Sequence, residues 1–93
     1  MITSFKHKGL ELFFTKSSFK GIPAQFAPRI ERILDRLDAA KEPTDMDLSG
    51  YKFHSLKGAR KQEYAVSISG NWRITFEFDA QDASCVNLED YHL

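Results

Sequence analysis

Cysteine is nearly absent from this chain: Cys85 stands alone among 93 residues. One thiol makes no internal disulfide and leaves no paired-cysteine metal site, which fits a reducing compartment. No apolar run approaches the roughly 20 residues that cross a bilayer. The opening Met1-Ile2-Thr3-Ser4-Phe5-Lys6 lacks the layout of a secretory signal. A soluble, cytoplasmic protein without membrane contact is therefore expected. The chain also lacks a Gly-rich phosphate loop, a nucleophile elbow and an HExxH spacing, and His7, His54 and His92 are too distant in sequence to be read as a ligand set. Neither a metal nor a cofactor is expected. Net charge is absent too, with 13 Lys+Arg against 13 Asp+Glu.

What is present is a single domain's worth of apolar bulk. Eight Phe, three Tyr and one Trp, in a composition 42% hydrophobic and 28% charged, exclude disorder as the main state. The charge is patterned although its sum is zero. Residues 1–21 carry +3, 22–50 carry −2, 51–73 carry five bases against one acid (+4), and 74–93 carry −5. The third block is a local cationic patch of the kind that attracts polyanions, because screening confines its field to about 8 Å at physiological salt.

Periodicity divides the chain in two. Residues 2–5 read as a short strand. Leu10, Phe13 and Phe14 have the i, i+3, i+4 spacing of a helix face over about His7 to Lys16, broken by Gly21-Ile22-Pro23. Ile30, Ile33, Leu34 and Leu37 mark a second helix ending near Ala40, with Pro28 predicting a kink or a later start. After a loop from Pro43 to Gly50 the period becomes two: Tyr51 and Phe53; Tyr64, Val66 and Ile68; Trp72, Ile74, Phe76 and Phe78; Val86 and Leu88. These predict four strands, each with one apolar side. Face parity requires a three-residue loop Ser69-Gly70-Asn71 or a bulge. A five-residue loop Asp79 to Ala83 sets Phe76 opposite Val86, Ile74 opposite Leu88 and Arg73 opposite Glu89. The expected architecture is α+β, with two N-terminal helices on one face of a small, mostly antiparallel sheet. Lys52, His54, Arg73 and the polar side of the last strand then share the uncovered face.

The residues available for chemistry there are an imidazole, a carboxylate, a phenol and fixed cations: His54 with Lys57, the turn Gly58-Ala59-Arg60-Lys61, Arg73, and the segment Glu89-Asp90-Tyr91-His92. These are the ingredients of metal-free RNA cleavage. A base must take the 2′-hydroxyl proton, an acid must protonate the departing 5′-oxygen, and cations must steady the phosphoryl charge. Histidine suits the proton steps because its ordinary pKa lies near about 6.5. Lys57, Arg73 and Arg60 are the candidate phosphate ligands. Each residue also has a plain alternative: a strand histidine hydrogen-bonded at the surface, a frayed end, an exposed Arg73–Glu89 pair worth about 0.2–1 kcal/mol.

Three strings, Tyr51-Lys52-Phe53-His54-Ser55-Leu56-Lys57-Gly58, Asn71-Trp72-Arg73-Ile74-Thr75-Phe76 and Glu89-Asp90-Tyr91-His92, resemble a HigB-type toxin of the RelE/ParE superfamily. The opening Ile2 to Leu10 and the step Gly21-Ile22-Pro23-Ala24 extend the resemblance over nearly all of the chain. It implies a RelE-like microbial RNase fold with four to five strands, and a ribosome-dependent endoribonuclease that cuts mRNA in the ribosomal A site. It also implies a HigA-type helix-turn-helix antitoxin through which operator DNA is met indirectly. Carried over by residue, the catalytic groups are His54, Asp90, Tyr91 and His92, and the phosphate-contacting cations Lys57 and Arg73. Within that set, His92 or Asp90 serves as base, His54 as proton carrier or phosphate ligand, and Tyr91 orients the base. The chain departs from the pattern in its neutral charge, in Tyr64 where Trp is expected, and in Gln62-Glu63 replacing a Gly-containing turn. Two other readings stay open: a ParE-like inhibitor of DNA gyrase that needs no catalytic set, and an inert subunit of a repressor complex.

Overall fold

The first helix is written in its ends as much as in its face. In the computed structural model, which describes residues 1–90, α1 (Lys8–Lys16) starts at His7, whose ring Nδ1 accepts the Leu10 N–H at 3.1 Å. It stops at Ser17, in a left-handed conformation (φ 55°), with the main-chain N–H groups of Ser17 and Ser18 returning to Phe13 and Leu12. Between those caps Leu10 and Phe13 are buried. Helix α2 (Ala27–Ala39) has Pro28 in its first turn, where a missing N–H costs nothing. The later start is the outcome. Its stripe Ile30, Ile33, Leu34 and Leu37 is fully buried against the sheet.

One main-chain contact and one arginine side chain lock the helical layer. Gly9 and Gly21 touch backbone to backbone, and a methyl group built on Gly9 would lie 2.5 Å from the Gly21 carbonyl oxygen. Arg29, on α2, donates to the carbonyls of Gly50 (2.9 Å) and Ser67 (3.1 Å) while its guanidinium lies 5.1 Å from the Tyr51 ring centroid.

The sheet has the order β1 (His54–Ser55), β2 (Tyr64–Ser69), β3 (Trp72–Asp79), β4 (Asp82–Asp90), each neighbour antiparallel to the next. The strand expected from Tyr51 shrinks to two residues because Lys52 takes a left-handed backbone (φ 50°) that no strand continues through. The Tyr51 carbonyl nevertheless accepts the Ser67 N–H at 2.7 Å, so the edge of β2 is still covered. At the next turn, Ser69 pairs with Trp72 across a two-residue Gly70-Asn71 connection, and a bulge between Ser67 and Ser69 restores the apolar side, the alternative that parity allowed.

The β3–β4 hairpin is tighter than the expected five-residue loop. It closes on Ala80-Gln81 between Asp79 and Asp82, and a second bulge between Thr75 and Glu77, where Cys85 adopts φ 53°, corrects the faces. Ile74 opposite Leu88 and Arg73 opposite Glu89 come out as expected, whereas Phe76 and Val86 fall within the bulge, both fully buried. Residues 2–5 run parallel to β4 through bridges Ile2 to Ala83 and Phe5 to Val86, a partial fifth strand. The α+β architecture is thus the one expected. Among the described residues no helix is long and apolar enough to cross a membrane.

Candidate active site

The sheet's second face was expected to be bare, and it is not. Directly opposed residues in an antiparallel pair share a side. The pairings therefore build two polar rows: His54, Ala65, Thr75 and Asn87, and beside it Ser67, Arg73 and Glu89. Thr75 in the middle of this face is fully buried, and Ser67 and Ala65 are buried with it. The cover is a loop. After β1 the chain passes Lys57, makes a short 3₁₀ turn Gly58–Arg60, and returns along Glu63 to β2.

Arg60 fastens that loop down. Its Nε and Nη2 donate to the two carboxylate oxygens of Glu63 at 3.0 and 2.9 Å, and its Nη1 and Nη2 donate to the two of Glu89, the first at 3.0 Å. Thr75 Oγ1 donates to Glu89 Oε2 at 2.7 Å. The shared guanidinium holds both carboxyls below the usual carboxylate range, against the opposing effect of burial, and the two carboxylates raise the guanidinium's own pKa further. Arg60, expected as a phosphate ligand, thus makes four hydrogen bonds to two acids of its own chain. The positive charge of segment 51–73 is carried at the surface by Lys52, Lys57 and Lys61, all exposed, with Arg73 half-buried in the polar row.

His54 is exposed, and its Nδ1 lies 2.9 Å from the Lys52 carbonyl oxygen. A carbonyl only accepts, so Nδ1 carries the proton and, in the neutral ring, Nε2 keeps its lone pair. The left-handed Lys52 is what turns that carbonyl toward the ring. His54 and Arg73 are brought to one face; Lys57, also exposed, heads the loop beyond them. Asp90 is exposed, pairs with Trp72, and by strand alternation lies across β4 from Glu89, toward the helices. Tyr91 and His92 lie outside the described residues. Among the described residues no group of three or more His, Cys, Asp or Glu side chains is placed to hold a metal ion.

The sequence reading missed Thr75, Glu63 and the partnership of Glu89 with Arg60. Two signals were present: the i, i+3 spacing of Arg60 and Glu63, and the shared side of Thr75 and Glu89. The contact between Arg60 and Glu89, 29 residues apart, had none.

Residues 3–92 match the family model described as RelE-like toxin of type II toxin-antitoxin system HigB. The chain is also 47% identical over 92 residues to a protein named Endoribonuclease HigB from Proteus vulgaris, an alignment covering 99% of this chain and 100% of the relative.

Proposed function

The chain belongs to the RelE-like HigB toxins of type II toxin–antitoxin systems, and on that premise we propose that it is an endoribonuclease that needs no metal, cuts mRNA in the ribosomal A site and so stops translation. A type II toxin has an antitoxin partner. In this reading the partner is a HigA-type helix-turn-helix protein, operator DNA is met only through it, and the cytoplasm is the site of action.

One observation carries the chemistry: an exposed imidazole whose Nδ1–H is tied to the Lys52 carbonyl. That hydrogen bond fixes the tautomer and turns Nε2 into the working atom. A neutral His54 takes a proton there and a protonated one gives it back, each such transfer worth about 10² to 10⁴ in rate. In this reading His92 removes the 2′-hydroxyl proton, with Tyr91 orienting it, because Asp90 lies on the helix side of β4, away from His54 and Arg73. Lys57 and Arg73 hold the phosphoryl oxygens as charge builds on them. As the 2′-oxygen bonds to phosphorus and the P–O5′ bond breaks, His54 entering the step protonated on Nε2 gives that proton to the leaving 5′-oxygen, or else binds the phosphate. The gyrase-inhibitor alternative requires none of these groups and is not supported by a relative named as an endoribonuclease.

Mapping 5′ ends of a reporter mRNA after brief induction tests the proposal, alongside cleavage with purified ribosomes. New ends are expected at ribosome-occupied codons in the wild type and are expected to vanish in His54→Ala and His92→Ala. Unchanged cleavage in both variants removes the catalytic assignment. DNA damage in place of cut mRNA would move the chain to the gyrase-directed reading.

A further inference from the structure

Three segments that carry the proposed site reach the polar face from distant parts of the chain: the β1 edge with His54 and the loop after it with Lys57, the middle strand with Arg73, and the end of β4 with Glu89. One guanidinium joins the loop to β4, and the middle strand is tied to the same carboxylate. Arg60 closes its own loop through Glu63, three residues on, and crosses to Glu89, opposite Arg73 and next to Asp90. Thr75, fully buried in the central strand, donates to the same Glu89 carboxylate.

The chemistry of this cluster is that of an orienting device. A loop is held down as well by apolar packing, and exchanging a buried ion pair for apolar contacts is often neutral or stabilising. What apolar packing does not provide is angle. Two forked, two-point bonds fix the plane of the guanidinium against both carboxylates, which a lysine ammonium at the same place does not do. Four hydrogen bonds to protein acids also leave Arg60 little capacity for RNA phosphate.

We propose that Arg60, Glu63, Glu89 and Thr75 form a clamp that sets the Lys57 loop against the end of β4, so that Arg60 is a positioning residue for RNA cleavage and not a phosphate ligand. The inference rests on the ribonuclease reading above. It assigns to Glu89 and Thr75 an indirect part in catalysis: they hold the strand that ends at Asp90.

The test is ribosome-dependent mRNA cleavage by purified full-length protein, with kcat and KM measured separately, well below the melting temperature of each variant. Arg60→Met is expected to lower kcat about tenfold to a hundredfold, the scale of a misplacement of about 1 Å, with KM and the salt dependence of RNA binding within about twofold of wild type. Arg60→Lys should recover little of the loss, because one ammonium does not fork. Glu89→Gln should lose a similar factor, and the double variant with Arg60→Met should be no worse than the single. If Arg60→Met instead raises KM and flattens the salt dependence while kcat holds, Arg60 binds phosphate and the clamp is wrong. Unchanged kcat and KM overturn it as well. Should Arg60→Met fail to fold, Thr75→Val removes one hydroxyl and leaves every charge in place; a threefold to tenfold fall in kcat supports the clamp, and wild-type kcat overturns it. A wild-type protein that cuts no mRNA on ribosomes is a separate result: it refutes the ribonuclease reading, and the clamp's role in cleavage with it.

Discussion

Replacing Gly9 by alanine sets two effects of opposite sign against each other. Alanine is the better helix former, by up to about 1 kcal/mol in a helix interior. In α1, however, the added methyl would sit 2.5 Å from the Gly21 carbonyl oxygen, 2.7 Å from its carbonyl carbon and 2.7 Å from its Cα. Comfortable separation of carbon atoms is about 3.5–4.0 Å, so the two backbones must part by about 1 Å. All three obstructing atoms are main chain, and no rotamer change relieves the clash. Overpacking of this kind costs typically about 1–3 kcal/mol, and the absence of a soft neighbour puts Gly9→Ala at the upper end. Subtracting the propensity gain leaves a destabilisation of about 1–2 kcal/mol, or a fall in Tm of roughly 5–15 °C for a domain of this size. Thermal and urea unfolding followed by circular dichroism measure it, with the exposed Lys8→Ala, expected within about 0.5 kcal/mol of wild type, as the reference for the same helical turn. A Gly9→Ala protein that melts at or above the wild type would refute the reasoning, because propensity would then outweigh contact.

Three further outcomes follow from the core and from the perturbed groups. Phe76→Ala, at a fully buried position of β3, is expected to lose about 3–5 kcal/mol in urea unfolding. The carboxyls of Glu63 and Glu89 titrate below their ordinary 4.5 in the folded protein, so their stabilisation is complete above that pH and is lost as pH falls through the folded values. Urea midpoints from pH 6 down to 3 should decline steeply in the wild type and more gently in Arg60→Met. Burial pushes His7 below its ordinary 6.5, and its Nδ1 caps α1 only when unprotonated. The stability it contributes is therefore present above 6.5 and lost as pH falls below that value; His7→Asn, which keeps a capping acceptor but does not titrate, should remove that slope.

How much of this was legible in the sequence depends on range. Local devices were readable. The i, i+3, i+4 stripe of α2, the breaker Gly21-Ile22-Pro23 and the parity of the strand faces each require only neighbours, and they yielded both helices, the antiparallel succession of the last three strands and the Ile74–Leu88 register. The errors came where the backbone left ordinary conformations. Lys52, Ala80 and Cys85 adopt positive φ although none is glycine, so no residue type announced the late start of β1, the tight hairpin or its bulge. In the candidate site, the types at 54, 57, 60 and 73 pointed to phosphate chemistry, and residue type alone put Arg60 among the phosphate ligands. Its role depends on a carboxylate 29 residues away, and no periodicity encodes such a pairing. Thr75 was hidden for the same reason: alternation gave its side of the sheet, not the loop that covers it.

The docking of the first residues along β4 fixes an order of events at birth. Ile2 finds its bridge partner in Ala83 and Phe5 in Val86, so residues 2–5 must wait for β4 to be made. Helices α1 and α2, whose contacts are local, can form as they emerge, whereas closure of the sheet comes only after β4 has been synthesised. The polar face needs that same strand, since Glu89 belongs to it. A chain whose proposed target is the translating ribosome therefore lacks its assembled polar face until β4 has left that ribosome.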